Sequence, residues 1–468
     1  MGMIQHRNWT AAASTITNDV PRGILAIAGL YFLSSASAFF WAYVPRQMSA
    51  LGWTGVQIGA FFMLKTAGQA MATPAWSRLA DGGGQSGRRL LKWQFVVAAA
   101  AIALLPVADS WTVGIVIALV LGTTMLCSPP LMDTMALGTV GMKRFGRVRA
   151  VGTMGFGVAA LSFGMVGLLV DHGTLAAGAS WAMLALVVLS LPIINRLPDH
   201  STNSGEEPRP ASSNPRRCPP RPLVRQMLKS PLVLFVFPMA ALFVATHIPY
   251  ELFLVGLAEE RGFGAWIPGV AIFVGILGEL LGFLSFRKMV KKVSPEILIG
   301  AIIAITGLRW MVTGITTSPV IFVGLQVLHG LTFAAFFMAM IEVMARHWGP
   351  SPGATSHGLL YLFVFAAGRG VGTLSSGFIY EKTTAVALFW QAGLVTFIIL
   401  PWMMTVLYLA RRYLTRPTAI LVTRSPRRRF HHYPIPVPHR RPVRITLNAK
   451  AVGPLLAHRR PHHHFPFC

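Results

Sequence analysis

Acidic residues are scarce in this chain: 15 Asp and Glu stand against 41 Lys and Arg in 468 residues, and charged residues of both signs make up only 12%. Ordinary soluble domains are about one-quarter charged, so the composition argues against a water-soluble globular enzyme. Cysteine is scarcer still. Cys127, Cys218 and Cys468 share no motif spacing, which removes a disulfide framework or a zinc site from consideration. Catalytic signatures are also missing. There is no HExxH, no GxSxG, no acidic metal-binding run and no Walker-type phosphate loop, so no catalytic residue, metal ligand or cofactor is assigned. A polytopic membrane enzyme, which should gather a constellation at one membrane face, is a poor second reading.

Apolar residues are plentiful, 54% of the chain, with a mean hydropathy of +0.58; alongside them stands a formal charge of +26 and a pI near 11.3. Such a charge alone would suggest a nucleic-acid binder. Its placement excludes that partner: residues 416 to 468 hold eleven Lys and Arg and no acid, and the rest lies mostly in short stretches between long apolar runs. The lipid bilayer is the expected partner. A helix needs about 20 apolar residues to cross it, and twelve runs qualify. Six lie near 24–44, 55–77, 91–108, 111–139, 148–170 and 175–195; six more lie near 231–255, 265–286, 296–315, 318–345, 354–380 and 384–410. Between the sets, residues 196–230 are rich in Pro, Ser and Arg and cannot bury a core. The expected organisation is an N-terminal arm (1–23), a six-helix bundle (24–195), a basic disordered linker (196–230), a second bundle (231–410) and a basic disordered tail (411–468).

Orientation follows from Lys and Arg. With the N-terminus inside, the inner segments hold 35 of the 41, whereas the outer loops hold only Arg46, Arg261 and Lys382. Both termini are therefore expected in the cytoplasm. Arg7, Asp19 and Arg22 precede the first run without a small-residue cleavage site, which reads as an uncleaved end. The loops after the second and eighth runs are both basic, a weak internal repeat of the kind on which many secondary transporters are built.

The Leu79-Ala80-Asp81 to Gly87-Arg88-Arg89 stretch, with twelve helices and a basic linker, resembles the loop signature of the major facilitator superfamily (MFS), although Ser77 replaces its leading Gly and Gly82, Gly83 and Gly84 lengthen the turn. Pro129-Pro130-Leu131-Met132-Asp133, Phe145-Gly146-Arg147-Val148-Arg149 and Gly152-Thr153-Met154-Gly155-Phe156 resemble the branch that includes the 3-phenylpropionate transporter and is related to nucleoside:proton symporters and lactose permease. Gly278-Glu279, Leu308-Arg309-Trp310 and Gln326 through Phe333 extend that resemblance into the second half. It covers residues 24 to 410 and implies proton-coupled movement of a small organic solute (an aromatic acid, nucleoside or sugar-like compound) across a bacterial inner membrane. The proton gradient is the implied energy source, and a monomer is expected. A proton-driven exporter of drugs or metabolites and a non-transporting sensor of the same fold are the alternatives.

Ionisable groups inside a membrane helix cost at least about 2.5–3.5 kcal/mol each on insertion scales, so each needs a reason. Lys65, Glu279, Arg309, His329 and Arg369 fall near the middle of their runs; Asp133, Glu251 and Glu342 lie toward an end. Glu279 is the first choice for proton coupling, with Arg309 on the next helix as a cation that competes with the proton and His329 as a third titratable group. A static Glu279–Arg309 pair that ties two helices together is the competing reading. Gln326, His329, Phe333 and Phe336 fall at i, i+3, i+7 and i+10, one stripe of a regular helix, and form a candidate substrate face or a packing seam. Lys65 could receive a substrate carboxylate or snorkel to an interface. Arg369, like Lys65, shows no acidic partner in the sequence and could also receive a substrate carboxylate, its fork being suited to two-point binding; the resemblance gives it no role. Tyr31 lines the cavity or faces lipid. By resemblance, Asp81 and Arg88 belong to one inner gate and Asp133, Arg147 and Arg149 to another; a salt bridge that merely fixes the loop after the fourth helix is equally open. His431, His432 and His462 to His464 in the tail have no spacing that fixes a metal geometry.

Overall fold

The computed structural model describes residues 7–81, 87–197, 227–348 and 353–414. Most of the predicted linker and nearly all of the predicted tail lie outside the described residues. Among the described residues there is no strand: the chain is a bundle of long helices. They are named here α1 (Arg7–Phe39), α2 (Gly55–Asp81), α3 (Gly87–Val107), α4 (Trp111–Val140), α5 (Met142–Val166), α6 (His172–Asn195), α7 (Leu232–Glu260), α8 (Ile267–Lys292), α9 (Pro295–Ile315), α10 (Pro319–Trp348), α11 (Ser356–Lys382) and α12 (Ala385–Leu414).

Eleven of them contain stretches long and apolar enough to cross a membrane. The exception is α2, 27 residues long but diluted by Gln57, Lys65 and Gln69. It is held by its neighbours instead. Gln69 Nε2 donates to the Leu126 carbonyl at 2.8 Å, and Trp76 Nε1 to the Thr123 carbonyl at 2.6 Å, both on α4. The predicted fifth run starts at 148, whereas α5 starts at Met142. Arg144, Arg147 and Arg149 join the helix because its first turns need not be apolar to stay hydrogen-bonded.

Helix ends are set by local chemistry. Asp171 caps α6, accepting from the Thr174 N–H at 3.0 Å and its hydroxyl at 2.8 Å, and those bonds hold its carboxyl below the ordinary value. Ser294 and Ser318 cap α9 and α10. Glu260 at the end of α7 accepts from the N–H groups of Ala385 and Val386, so it caps α12.

Breaks in regular helix concentrate in corresponding members of the two halves. α1 ends in a 3₁₀ turn at Phe40–Ala42, α4 is interrupted by one at Met125–Cys127, and α7 is broken between Ala245 and Ile248. In α10 a 3₁₀ segment (Leu325–Leu328) is followed by a π-helical one (Gly330–Ala335), and α11 has another at Tyr361–Ala366. Mid-helix departures of this kind often mark functional positions, and here they lie beside most of the intramembrane polar groups.

Candidate functional site

In the C-terminal half the polar centre is Arg309 on α9, which is only 1% exposed. Its guanidinium donates to Gln326 Oε1 at 2.5 Å and Thr332 Oγ1 at 2.9 Å on α10, with His329 Nδ1 at 3.4 Å. Gln326 in turn donates to the Phe322 carbonyl at 2.8 Å, which fixes its oxygen toward Arg309. The charge also lies 4.3 Å from the ring centre of Trp310 and 4.9 Å from that of Tyr250 on α7. A desolvated cation gains on the order of 2 kcal/mol from an aromatic face, so neutral groups and rings hold Arg309 where an acid was expected.

That arrangement corrects the predicted Glu279–Arg309 partnership. Among the described residues Glu279 makes no ion pair. The fork of Arg309 is already taken by Gln326 and Thr332 of α10, and Gly278 and Gly282 let α8 press on the Val327 and Gly330 backbone of the same helix. Glu279 is half-buried and within electrostatic reach of Tyr250.

The stripe predicted for α10 is regular only in part. Its turns tighten at Leu325–Leu328 and widen at Gly330–Ala335, yet Gln326 and His329 stay on one side and share the Arg309 guanidinium. Gln326 is fully buried against Arg309, and Phe336 is 1% exposed and packs on Phe243 with ring centres 4.3 Å apart. His329 and Phe333 remain together. Their rings stack at 5.5 Å with a 7° interplanar angle, and Tyr250 lies 4.8 Å from His329.

A second cluster lies where the halves meet. Arg369 on α11 forms a two-point ion pair with Glu251 on α7, 2.5 Å from NH1 to Oε2 and 2.9 Å from NH2 to Oε1. Arg369 therefore has the acidic partner that the sequence did not reveal, 118 residues away. Glu251, set aside as an end residue, is the one sequence reasoning missed. Its signal was available: it is the one acid of α7 that precedes the terminal Glu259-Glu260 pair. From the other half comes Lys65 on α2, 6% exposed, with its ammonium 3.4 Å from the Trp41 ring centre and 4.3 Å from that of Phe62. It forms no ion pair among the described residues but lies within electrostatic reach of both Arg369 and Glu251. Burial over two rings is not snorkelling.

In the N-terminal half, the Tyr31 hydroxyl donates to Asp133 Oδ1, and Arg149 NH1 lies 3.8 Å from Asp133 Oδ2. Tyr31 is thereby committed to Asp133 and is 7% exposed, so it is joined to the predicted gate more than to the predicted substrate face. Arg147 is exposed and forms no ion pair among the described residues, which removes it from that set. Arg88 donates to the carbonyls of Asn195 and Leu197 at 3.3 Å each and so closes the C-terminal end of α6. The side chain of Asp81 lies outside the described residues.

The halves are in close contact toward one end of the bundle. Arg46 donates to both oxygens of Glu259 at 2.5 and 2.9 Å, and that bond holds the Arg46 proton above its ordinary affinity. The Val56 N–H donates to Glu381 Oε2 at 2.9 Å. Gly55 and Gly59 on α2 meet the backbone of Thr373 and Gly377 on α11, and Gly164 on α5 and Gly167 just after it meet Ala265 and Trp266 just before α8 and Gly269 in its first turn, so closely that a Cβ would collide. One turn beyond Gly59 the α2–α11 seam opens. Met63, Thr66, Ala67 and Ala70 face Leu362, Phe363, Ala366 and Gly370 across an apolar cavity of about 360 Å³.

Two six-helix halves joined through α2–α11 and α5–α8, with broken helices carrying most of the polar groups between them, define an all-helical membrane transporter fold. Residues 24–392 match the MFS_1-like family, and the chain belongs to it. No curated protein matches the sequence. Among solved structures the fold is similar to the nucleoside transporter NupG, with a TM-score of 0.71 at 15% identity, covering 82% of this chain and 98% of that one. It is also similar to a bacterial homologue of the human lysosomal transporter Spinster, captured in an inward-facing and occupied conformation, with a TM-score of 0.58 at 15% identity, covering 83% of this chain and 96% of that one. The chain is a multi-pass membrane protein of the MFS type.

Proposed function

We propose that this protein is a secondary active transporter that moves a small organic solute across a bacterial inner membrane by proton symport and alternating access. The observation that carries the reading is the seam between the halves. It is closed at the Arg46–Glu259 end and opens from Met63 and Gly370 onward, with Lys65, Glu251 and Arg369 at the level where the change occurs. Two halves that close at one end while parting toward the other are what rocking about a midplane site requires. With the basic loops inside, the closed end faces outward and this conformation opens to the cytoplasm. Glu279 is the carboxyl free to load and release a proton, because it is half-buried and has no ion-pair partner among the described residues. His329 and Phe333 supply an imidazole and a stacked ring for the substrate.

The test is uptake into proteoliposomes that contain the purified full chain. Aromatic acids, nucleosides and sugars are first screened for thermal stabilisation, and any hit is then offered with and without an imposed pH gradient. Accumulation that follows the gradient supports symport. Accumulation only when protons flow outward, opposite to the solute, identifies an exporter, and a stabilising ligand that never crosses identifies a sensor.

A further inference from the structure

From the wedge between α2 and α11 we infer that this seam holds one acyl chain of an anionic phospholipid of the inner leaflet, with the lipid phosphate at Arg78. The two helices part step by step. At Gly59 a Cβ would strike the Thr373 carbonyl, whereas one turn further along α2 a Cβ on Gly370 would only touch Met63 Cγ at 3.9 Å. Beyond that contact the helices enclose the apolar cavity of about 360 Å³.

The cavity lies at one depth on both helices. At a rise of about 1.5 Å per residue, the lining stretch from Ala70 back to Met63 stands about 12–23 Å from Arg78, and Leu362 to Gly370 stand about 9–21 Å from Ser356, where α11 begins. One leaflet contributes about 15 Å of hydrocarbon, half of the ~30 Å core. The cavity therefore occupies the deep part of a leaflet, where chain ends lie, and Arg78 stands at the level of the headgroups. Met63, Ala67, Ala70, Pro74 and Arg78 follow one another at spacings of four, three, four and four residues, which is one face of a helix. The cation thus continues the same stripe that lines the cavity.

Nothing in the cavity serves a polar guest. Thr66 brings the one polar side chain, and its hydroxyl is spent on the Phe62 carbonyl at 3.0 Å. A buried water needs about two to four polar partners, but a hydrocarbon chain needs only contact. Leu362, Phe363 and Ala366 come from the π-helical turn of α11, and Leu362 is 51% exposed, surface that a chain would cover. Arg78 is exposed and forms no ion pair among the described residues, so its charge complements a phosphate. One basic residue at this level favours an anionic lipid by about fivefold. A chain lodged in the wedge stands between faces that must meet when this end closes, so its binding favours the conformation described.

The test uses the full chain in phosphatidylcholine vesicles that carry a trace of phosphatidylglycerol or phosphatidylcholine with a diazirine near the end of one acyl chain. Labelled peptides are read by mass spectrometry, and the exposed Ile398 to Trp402 stretch of α12 is the reference for general lipid contact. Relative to that reference, the cavity-lining peptides of α2 and α11 are expected to label about fivefold more with the anionic probe. Arg78→Gln removes the preference. Ala67→Trp and, from the opposite helix, Ala366→Phe fill the cavity and cut its labelling by both probes at least fivefold, with the reference unchanged. Spin labels at Ala75 and Gly358, both exposed, show a long-distance population at least twofold larger in phosphatidylglycerol than in phosphatidylcholine vesicles.

The inference is overturned if both probes label the cavity no more than the reference, if Arg78→Gln keeps the preference, or if neither filling variant lowers the labelling. Displacement of the lipid by a small solute that stabilises the protein assigns the cavity to the solute and overturns it too. An unchanged distance distribution overturns the role of the lipid as a wedge. Arg78 is exposed, so its variant decides the matter even where a filling variant fails to fold.

Discussion

Arg46, just beyond α1, and Glu259, near the end of α7, form a two-point ion pair that joins the halves across 213 residues of sequence. Both side chains are partly exposed, 24% and 37%, so the pair is worth about 0.5–1 kcal/mol rather than the several expected of a buried one. In a two-state transporter that is enough to shift populations about two- to fivefold. Arg46→Ala is expected to raise the fraction open at this end by that factor. Spin labels at Thr54 and Thr383 would report it as growth of a long-distance population, and an unchanged distance distribution would remove the pair from the conformational balance.

Gly59 acts on the same seam by absence of a side chain. A Cβ there would strike the Thr373 carbonyl, and backbone cannot move aside as a flexible side chain can. Gly59→Leu is expected to hold the seam apart and reduce flux at least tenfold while ligand binding persists. Gly324, whose Cβ would meet nothing within 4 Å, serves as the control: Gly324→Ala should transport normally.

Asp171 gives a pH signature to the cap of α6. Its carboxyl is held below its ordinary value, chiefly by the Thr174 N–H, so its contribution to stability is present at neutral pH and is lost as pH falls through the folded-state value. Thermal unfolding of Asp171→Ala should therefore lie below wild type at pH 7, and the two curves should converge under acid conditions. A difference that stays constant with pH would show that the carboxylate charge contributes nothing.

Most of the helices were legible because a bilayer demands runs of about 20 apolar residues, and such runs are local in sequence. α2 shows the limit of that signal: Gln57, Lys65 and Gln69 lower its apolarity, and contacts with α4 and α11 support it instead. The site was legible as a set of buried ionisable residues but not as pairs. The Arg369–Glu251 bridge spans 118 residues, and no periodicity within α7 or α11 encodes which helix will lie opposite. The members of the α10 stripe were legible, since Gln326, His329 and Phe333 remain neighbours, but its regular geometry was not: 3₁₀ and π-helical segments flank His329 where 3.6 residues per turn were assumed.

Arg309 tests whether geometry or charge holds the C-terminal centre. Its fork reaches Gln326 and Thr332 at once, and an ammonium on a flexible stem cannot reproduce that planar reach. Arg309→Lys keeps the charge and is expected to cost about 2–3 kcal/mol, because a buried amide oxygen loses its donor. Thermal unfolding in detergent measures it. A variant as stable as wild type would show that charge over Tyr250 and Trp310 is sufficient by itself.

Glu279→Gln separates the proton from the fold. Among the described residues Glu279 has no ion pair to lose, so the amide should change stability by less than about 0.5 kcal/mol, within the range of substitutions away from special contacts. If Glu279 carries the coupled proton, the same variant cannot load or release it: pH-driven accumulation should disappear while exchange of solute across the membrane at equal pH continues. Counterflow and gradient-driven uptake, measured on the same proteoliposomes, distinguish these two activities. Full gradient-driven uptake by Glu279→Gln would remove this residue from the coupling mechanism, and loss of counterflow together with uptake would show that it serves binding or closure instead.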